Sequence, residues 1–135
     1  MIPNELKENA QWCVWKREIR GGKPTKVPYD PVTGKRAETD NPDTFRSFEA
    51  AEEAFTIEPE YNGVGIRVSN GFAAIDIDHC VTDGALSDLA REICERMNSY
   101  TELSPSKTGL RILIKGDLSY DKGKYYLKNP NNGVE

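Results

Sequence analysis

Histidine is nearly absent from this chain of 135 residues: His79 stands alone, and there are 3 cysteines, Cys13, Cys80 and Cys94. The cysteines are odd in number and far apart. They make neither a zinc pattern nor a disulfide framework, and they read as core thiols in a reducing cytoplasm. His79 is a weak ligand, because next to Asp78 in an extended strand it faces the other way. No apolar run approaches the roughly 20 residues that a spanning helix needs, and the polar N-terminus lacks the apolar centre of a secretory signal. No membrane partner is therefore expected. The Gly-Lys-Ser/Thr order of a P-loop is missing, and so are repeats and low-complexity tracts. Positive charge is not in excess either. The net charge of −4 argues against indiscriminate nucleic-acid binding. Its signs are segregated: residues 1–36 carry 8 Lys/Arg against 4 Asp/Glu, residues 37–100 carry 4 against 14, and residues 101–135 carry 6 against 4.

What is present is a globular pattern, with apolar residues clustered and periodic and enough chain for one domain with one modest core. Residues 11–19 predict a strand with Trp12 and Val14 on one face and Cys13 and Trp15 on the other. Gly21-Gly22 is a hairpin turn, after which Lys26-Val27-Pro28-Tyr29 pairs back as an edge strand. Asp30-Pro31-Val32-Thr33-Gly34 is a turn. A helix starts near Thr44 or Ser47, with Phe48, Ala51 and Phe55 at helical spacing and Pro59 at its end. Residues 63–68 form a strand, and Ser69-Asn70-Gly71 turns it into the next, predicting a β-hairpin. Asp83-Gly84 leads to a second helix with the stripe Leu86, Leu89, Ala90, Ile93 and Met97. Residues 100–114 read strand, polar loop, strand, with Arg111 facing away from Leu110, Ile112 and Ile114. The apolar pattern then fades through Tyr125-Tyr126-Leu127. The chain stops at Glu135 without a closing element, as a piece of a longer protein would.

Chemistry concentrates at Gly71-Phe72-Ala73-Ala74-Ile75-Asp76-Ile77-Asp78-His79-Cys80. In a strand Asp76 and Asp78 share one face while Ile75 and Ile77 share the other. Two adjacent carboxylates repel, and a hard cation such as Mg²⁺ or Mn²⁺ relieves the conflict; a strand end reaching water relieves it equally. An EF-hand loop is excluded, since His79-Cys80-Val81 follows where oxygen ligands and a Gly are required. Downstream, Ser104, Ser106 and Thr108 offer hydroxyls, Gly109 allows close backbone approach, and Lys107 and Arg111 supply positive charge suited to phosphates.

Ile75-Asp76-Ile77-Asp78-His79-Cys80, the Asp83-Gly84 turn, and Ser99-Tyr100-Thr101-Glu102-Leu103-Ser104-Pro105-Ser106 through Gly109-Leu110 resemble the primase–polymerase domain of phage and plasmid replication proteins. These belong to the archaeo-eukaryotic primase superfamily. Lys23-Pro24-Thr25-Lys26-Val27-Pro28-Tyr29-Asp30-Pro31 and Asn41-Pro42-Asp43-Thr44-Phe45-Arg46-Ser47-Phe48 are similar to that family's N-terminal region. The likeness covers most of residues 10–116 in the right order. It implies an α/β (α+β) fold with a mixed or antiparallel sheet, an RRM-like half and two main helices. Residues 1–135 would be a single N-terminal domain. It also implies metal-dependent, template-directed nucleotidyl transfer: an enzyme, at least in the parent protein. Asp76 and Asp78 would be catalytic and hold Mg²⁺ or Mn²⁺. Ser104, Ser106, Lys107 and Arg111 would bind the nucleotide, and a third acid would fall at or beyond Glu135. The implied partners are DNA template and primer, (d)NTPs and a downstream helicase domain; Lys16, Arg17, Arg20, Lys23 and Lys26 are candidates for the template. Two positions depart from the family pattern Ser-Pro-Ser-Gly-x-Gly-x-His: Lys107 replaces Gly, and Arg111 replaces His. Arg clamps phosphate with two prongs but stays protonated. The alternative reading is a degenerate module that binds nucleotide or single-stranded DNA without catalysis.

Overall fold

Strand β1 (Gln11–Arg20) is the centre of a first antiparallel sheet, bonded on one side to β2 (Lys23–Tyr29) and on the other to β3 (Gly63–Arg67). The computed structural model describes residues 1–69, 71–116 and 131–135, which fall into two compact units, residues 1–70 and 71–135. Gly21 and Gly22 both take positive φ, 55° and 77°. That is the handedness whose twist suits a two-residue hairpin and that other side chains resist. Pro28 lies on the edge strand, where its missing N–H costs least.

The first core forms on both sides of β1. The Trp12 indole meets the Phe48 ring of α2 (Phe48–Ile57) edge-on, with centroids 4.8 Å apart. On the opposite side Cys13 packs with Ala37 and Phe45. Helix α2 begins after Ser47, whose hydroxyl accepts the Ala50 N–H. Its stripe is shorter than expected: Phe48 and Ala51 are buried, but Phe55 is 43% exposed. A helix that the sequence reading did not assign, α1 (Asn4–Asn9), buries Leu6 and offers its carbonyl to the Trp12 indole N–H at 3.1 Å.

Asp30 is the polar hub of this unit, and it is buried. Its carboxylate accepts the Val32 and Thr33 amides and two bonds from the Arg46 guanidinium, at 3.0 and 2.7 Å. Burial pushes the carboxyl upward, yet Arg46 and the two amides outweigh it and hold the pKa at about 2.

In the second unit β4 (Phe72–Ile77) pairs with β8 (Leu110–Lys115), which pairs with β7 (Thr101–Leu103), all antiparallel. Asp83-Gly84 closes a small ribbon between β5 (Val81–Thr82) and β6 (Ala85–Leu86). Helix α3 (Asp88–Met97) starts after the Ser87 cap. It packs Ala90, Ile93 and Cys94 against Ile77, Leu110 and Ile112. Its contact face is narrower than the expected stripe, since Leu89 and Met97 are 37% and 40% exposed. Ala90, fully buried, lets the helix approach the sheet closely.

The hairpin expected of residues 63–68 and 71–80 is not formed; β3 joins β1, and β4 joins β8. Side-chain fit explains the choice. A Cβ at Gly63 would lie 2.8 Å from the Trp15 indole nitrogen, so β3 suits a bulky neighbour. Ile75 and Ile77 instead find Ile112 and Leu110 directly across the β4–β8 ladder. The aspartate strand also ends earlier than expected, at Ile77. His79 turns the chain with φ of 51°. The cysteines are free thiols as expected: Cys13 and Cys80 are buried, and burial pushes the Cys13 thiol up to about 12. Among the described residues no helix is long and apolar enough to cross a membrane. The Tyr125-Tyr126-Leu127 stretch lies outside the described residues.

Candidate functional site

Alternation along β4 and β8 sorts apolar from charged side chains. Ile75, Ile77, Leu110, Ile112 and Ile114 all belong to the core beneath α3. Asp76 and Arg111 therefore emerge together on the other side, and the β4–β8 register sets them directly opposite each other. The guanidinium grips the carboxylate with two prongs, Nε to Oδ1 at 2.6 Å and Nη2 to Oδ2 at 2.7 Å. The Arg111 side chain remains 43% exposed and that of Asp76 30%.

The row continues at both ends. Glu102 of β7 is the register partner of Arg111. On the far side of β4, Glu135 exchanges both backbone hydrogen bonds with Asp76, at 2.9 and 2.8 Å. Directly opposed residues of an antiparallel pair share a face, so Glu135, Asp76, Arg111 and Glu102 line up across four chain segments. The Asp76 hydrogen bond is the chief cause of the raised Arg111 pKa; burial opposes it, and the charges of Asp76, Glu102 and Glu135 add to it. Asp78 sits one step past the strand end and is exposed. Its amide donates to the Gly133 carbonyl at 3.0 Å. A Cβ at Gly133 would lie 3.4 Å from that of Asp78; the glycine leaves the space beside Asp78 open.

The loop between β7 and β8 closes on the same strand end. Ser104, Ser106 and Thr108 form a chain of hydroxyls, 3.0 and 2.8 Å apart, and Ser104 Oγ also accepts the Gly109 amide at 3.0 Å. Gly109 is needed for packing: a Cβ there would lie 2.9 Å from the Ile77 carbonyl. The close approach expected of this glycine is thus to the protein's own β4. Lys107, exposed, has φ of 61°, a left-handed conformation that favours the glycine it replaces in the family pattern.

Asp76 and Arg111 are therefore in contact, and the Ser104–Ser106 loop packs at the end of β4 where Asp78 leaves it. Among the described residues no group of three His, Cys, Asp or Glu side chains is gathered closely enough to hold a metal ion. Sequence reasoning missed Glu102 as a neighbour of Arg111. The signal was available only through the hairpin: once Leu103 pairs Leu110, Glu102 must pair Arg111.

No family model matches the chain. Over 117 residues, 84% of its length, the chain is 34% identical to the DNA primase-polymerase of Nitratiruptor phage NrS-1, and it spans 16% of that protein.

Proposed function

We propose that this chain, a domain of the phage primase–polymerase type, binds a deoxynucleoside triphosphate together with a divalent metal ion and serves template-directed nucleotidyl transfer. In this reading residues 1–135 are one N-terminal domain of a longer DNA primase/polymerase. Its substrates are template, primer and dNTPs, and a helicase domain downstream is the expected companion. The observation that carries the reading is the pairing of Arg111 with Asp76 beside a hydroxyl-lined loop. A metal–triphosphate complex carries both signs, and the row offers a cation for phosphates next to carboxylates for metal.

The donor set fits the ion by type. Asp76 and Asp78 carry hard carboxylate oxygens, the chemistry Mg²⁺ and Mn²⁺ accept, although among the described residues no third acid is gathered with them. Asp76 and Asp78 would hold the ion, which when bound neutralises triphosphate charge and activates an attacking 3′-hydroxyl. Arg111 clamps phosphate oxygens bidentately, while Ser104, Ser106 and Lys107 donate to the remaining ones. The protein's contribution is positioning and charge, not covalent chemistry.

A second reading, a module that binds without catalysing, draws on Arg111 itself. A guanidinium stays protonated whatever its partner, so Arg111 cannot move a proton as a histidine in its place can. Calorimetric titration of Mg²⁺–dTTP tests the common part: binding should depend on metal and fall at least roughly ten-fold when Asp76 and Asp78 both become Asn. Binding indifferent to metal and to both aspartates would sink both readings. Metal-dependent primer extension by the longer protein separates the first from the second.

A further inference from the structure

Helix α2 carries one apolar stripe more than its sheet contact uses. Phe48 and Ala51 are buried, Phe48 against Trp12. Ala50, Ala54 and Ile57, at i, i+4 and i+7, fall on a second stripe turned away from the first. That second stripe is one wall of a groove of about 560 Å³, and the turn at residues 31–34 is the other. Buried Tyr61 lies between the walls. All of these residues belong to the first unit. Val32 and Ile57, on opposite walls, are 64% and 63% exposed. Apolar surface on both sides of the groove therefore stays in contact with water.

Both walls are preformed. Asp30 fixes the turn by accepting the Val32 and Thr33 amides on its carboxylate and the Gly34 amide on its carbonyl. A groove already shaped loses little freedom when it is filled. Its rim is acidic: residues 47–66 hold 5 Glu and no Lys or Arg. Glu53, Glu58 and Glu60 border the groove. Lys16 takes Glu60 at 2.7 Å, whereas Glu53 and Glu58 meet no cation among the described residues. Glu58 is moreover the C-cap of α2, and no basic residue stands in the last turn. An acid there opposes the helix dipole, so Glu58 does not serve the stability of its own helix. A cation brought from outside would relieve it.

We propose that this groove docks a basic amphipathic helix of a partner protein. An apolar side chain of the partner sits between Val32 and Ile57 over Ala54, and Lys or Arg on either side of it meets Glu53 and Glu58. The two acids are roughly 7 Å apart along α2, and cations four residues apart on a helix are separated by about 6 Å. Long basic side chains span the difference. Charge alone would hold any basic tail; the exposed Val32 and Ile57 add the demand for an apolar face. The acidic rim repels a polyphosphate, which sets this groove apart from any nucleic-acid surface. The proposal concerns the first unit alone and does not depend on the nucleotide reading.

The probe is a fluorescein-labelled helical peptide of about 14 residues, leucine on one face and lysine on the other. Its anisotropy is followed with the intact chain at physiological salt. Glu53→Lys with Glu58→Lys should weaken binding roughly ten-fold or more, with the melting temperature unchanged or higher. Glu49→Lys with Glu52→Lys, the same charge change on the same helix outside the groove, should leave affinity within about three-fold. Ile57→Ser, at an exposed position, should lose roughly five-fold. A peptide with serine in place of leucine should bind at least roughly ten-fold more weakly. Equal losses from the two glutamate pairs, or equal binding of the serine peptide, would reduce the effect to general charge attraction and overturn the proposal. Displacement of the peptide by oligothymidine would overturn it in favour of a nucleic acid. In sedimentation the chain alone should remain monomeric; a dimer abolished by Ile57→Ser would give the groove to a second copy and overturn it as well.

Discussion

Arg111 and Asp76, 35 residues apart in sequence, are locked face to face across the β4–β8 ladder by two parallel hydrogen bonds of 2.6 and 2.7 Å. Both oxygens of the carboxylate accept from the guanidinium. The acid read as a metal holder and the cation read as a phosphate clamp therefore neutralise each other, and on the proposed reading a metal–nucleotide complex would have to separate them.

That competition makes opposite effects measurable in one variant. Removing the guanidinium frees Asp76 for metal while removing a phosphate donor. Arg111→Ala should strengthen Mn²⁺ binding, read by selective broadening of amide NMR signals from residues 75–79. The same variant should weaken dNTP binding by roughly ten-fold, the scale of one charge-assisted contact. A parallel loss of both would mean that Arg111 only organises the sheet.

Lys107 carries a backbone conformation that costs a side-chain-bearing residue about 1–2 kcal/mol, partly offset by the roughly 0.4–1 kcal/mol that glycine loses through a freer unfolded chain. Its φ of 61° makes Lys107→Gly a stabilising change of about 0.5–1 kcal/mol. Thermal denaturation should show a melting temperature higher by a few degrees, with Lys107→Ala close to the parent. A lower value for the glycine variant would show that the lysine side chain contributes more than its backbone costs.

Asp30 should make the stability of the first unit pH-dependent. Its folded pKa of about 2 lies below the roughly 3.9 of an unfolded aspartate. The stabilisation is therefore fully present above about pH 4 and is lost as pH falls toward 2. At neutral pH Asp30→Asn should melt on the order of 5 °C lower, because Arg46 loses its charged partner. Denaturation curves taken between pH 2 and pH 6 should show the two proteins converging at the acid end. A gap that stays constant with pH would assign the effect to packing.

Much of the site is written in local pattern. Alternation alone puts Asp76 and Arg111 on the sides of their strands away from the isoleucines, and the structure agrees. Gly21-Gly22, Asp83-Gly84 and the Ser47 and Ser87 caps are each decided by a few neighbouring residues, through positive φ or a single hydroxyl. Those are short-range demands that the chain meets wherever it folds.

Strand partnership is not of that kind. The turn at residues 69–71 was compatible with a hairpin, yet the space beside Gly63 took the Trp15 indole, and Ile75 and Ile77 paired with Ile112 and Leu110. Only that long-range fit set Arg111 on Asp76, drew Glu102 in behind it and laid Glu135 along the open edge of β4. The residue types, and the faces they occupy, follow from the sequence by itself. Which charge meets which was decided by tertiary structure, because the fit of side chains distant in sequence selects one pairing among several with equally good backbone hydrogen bonds.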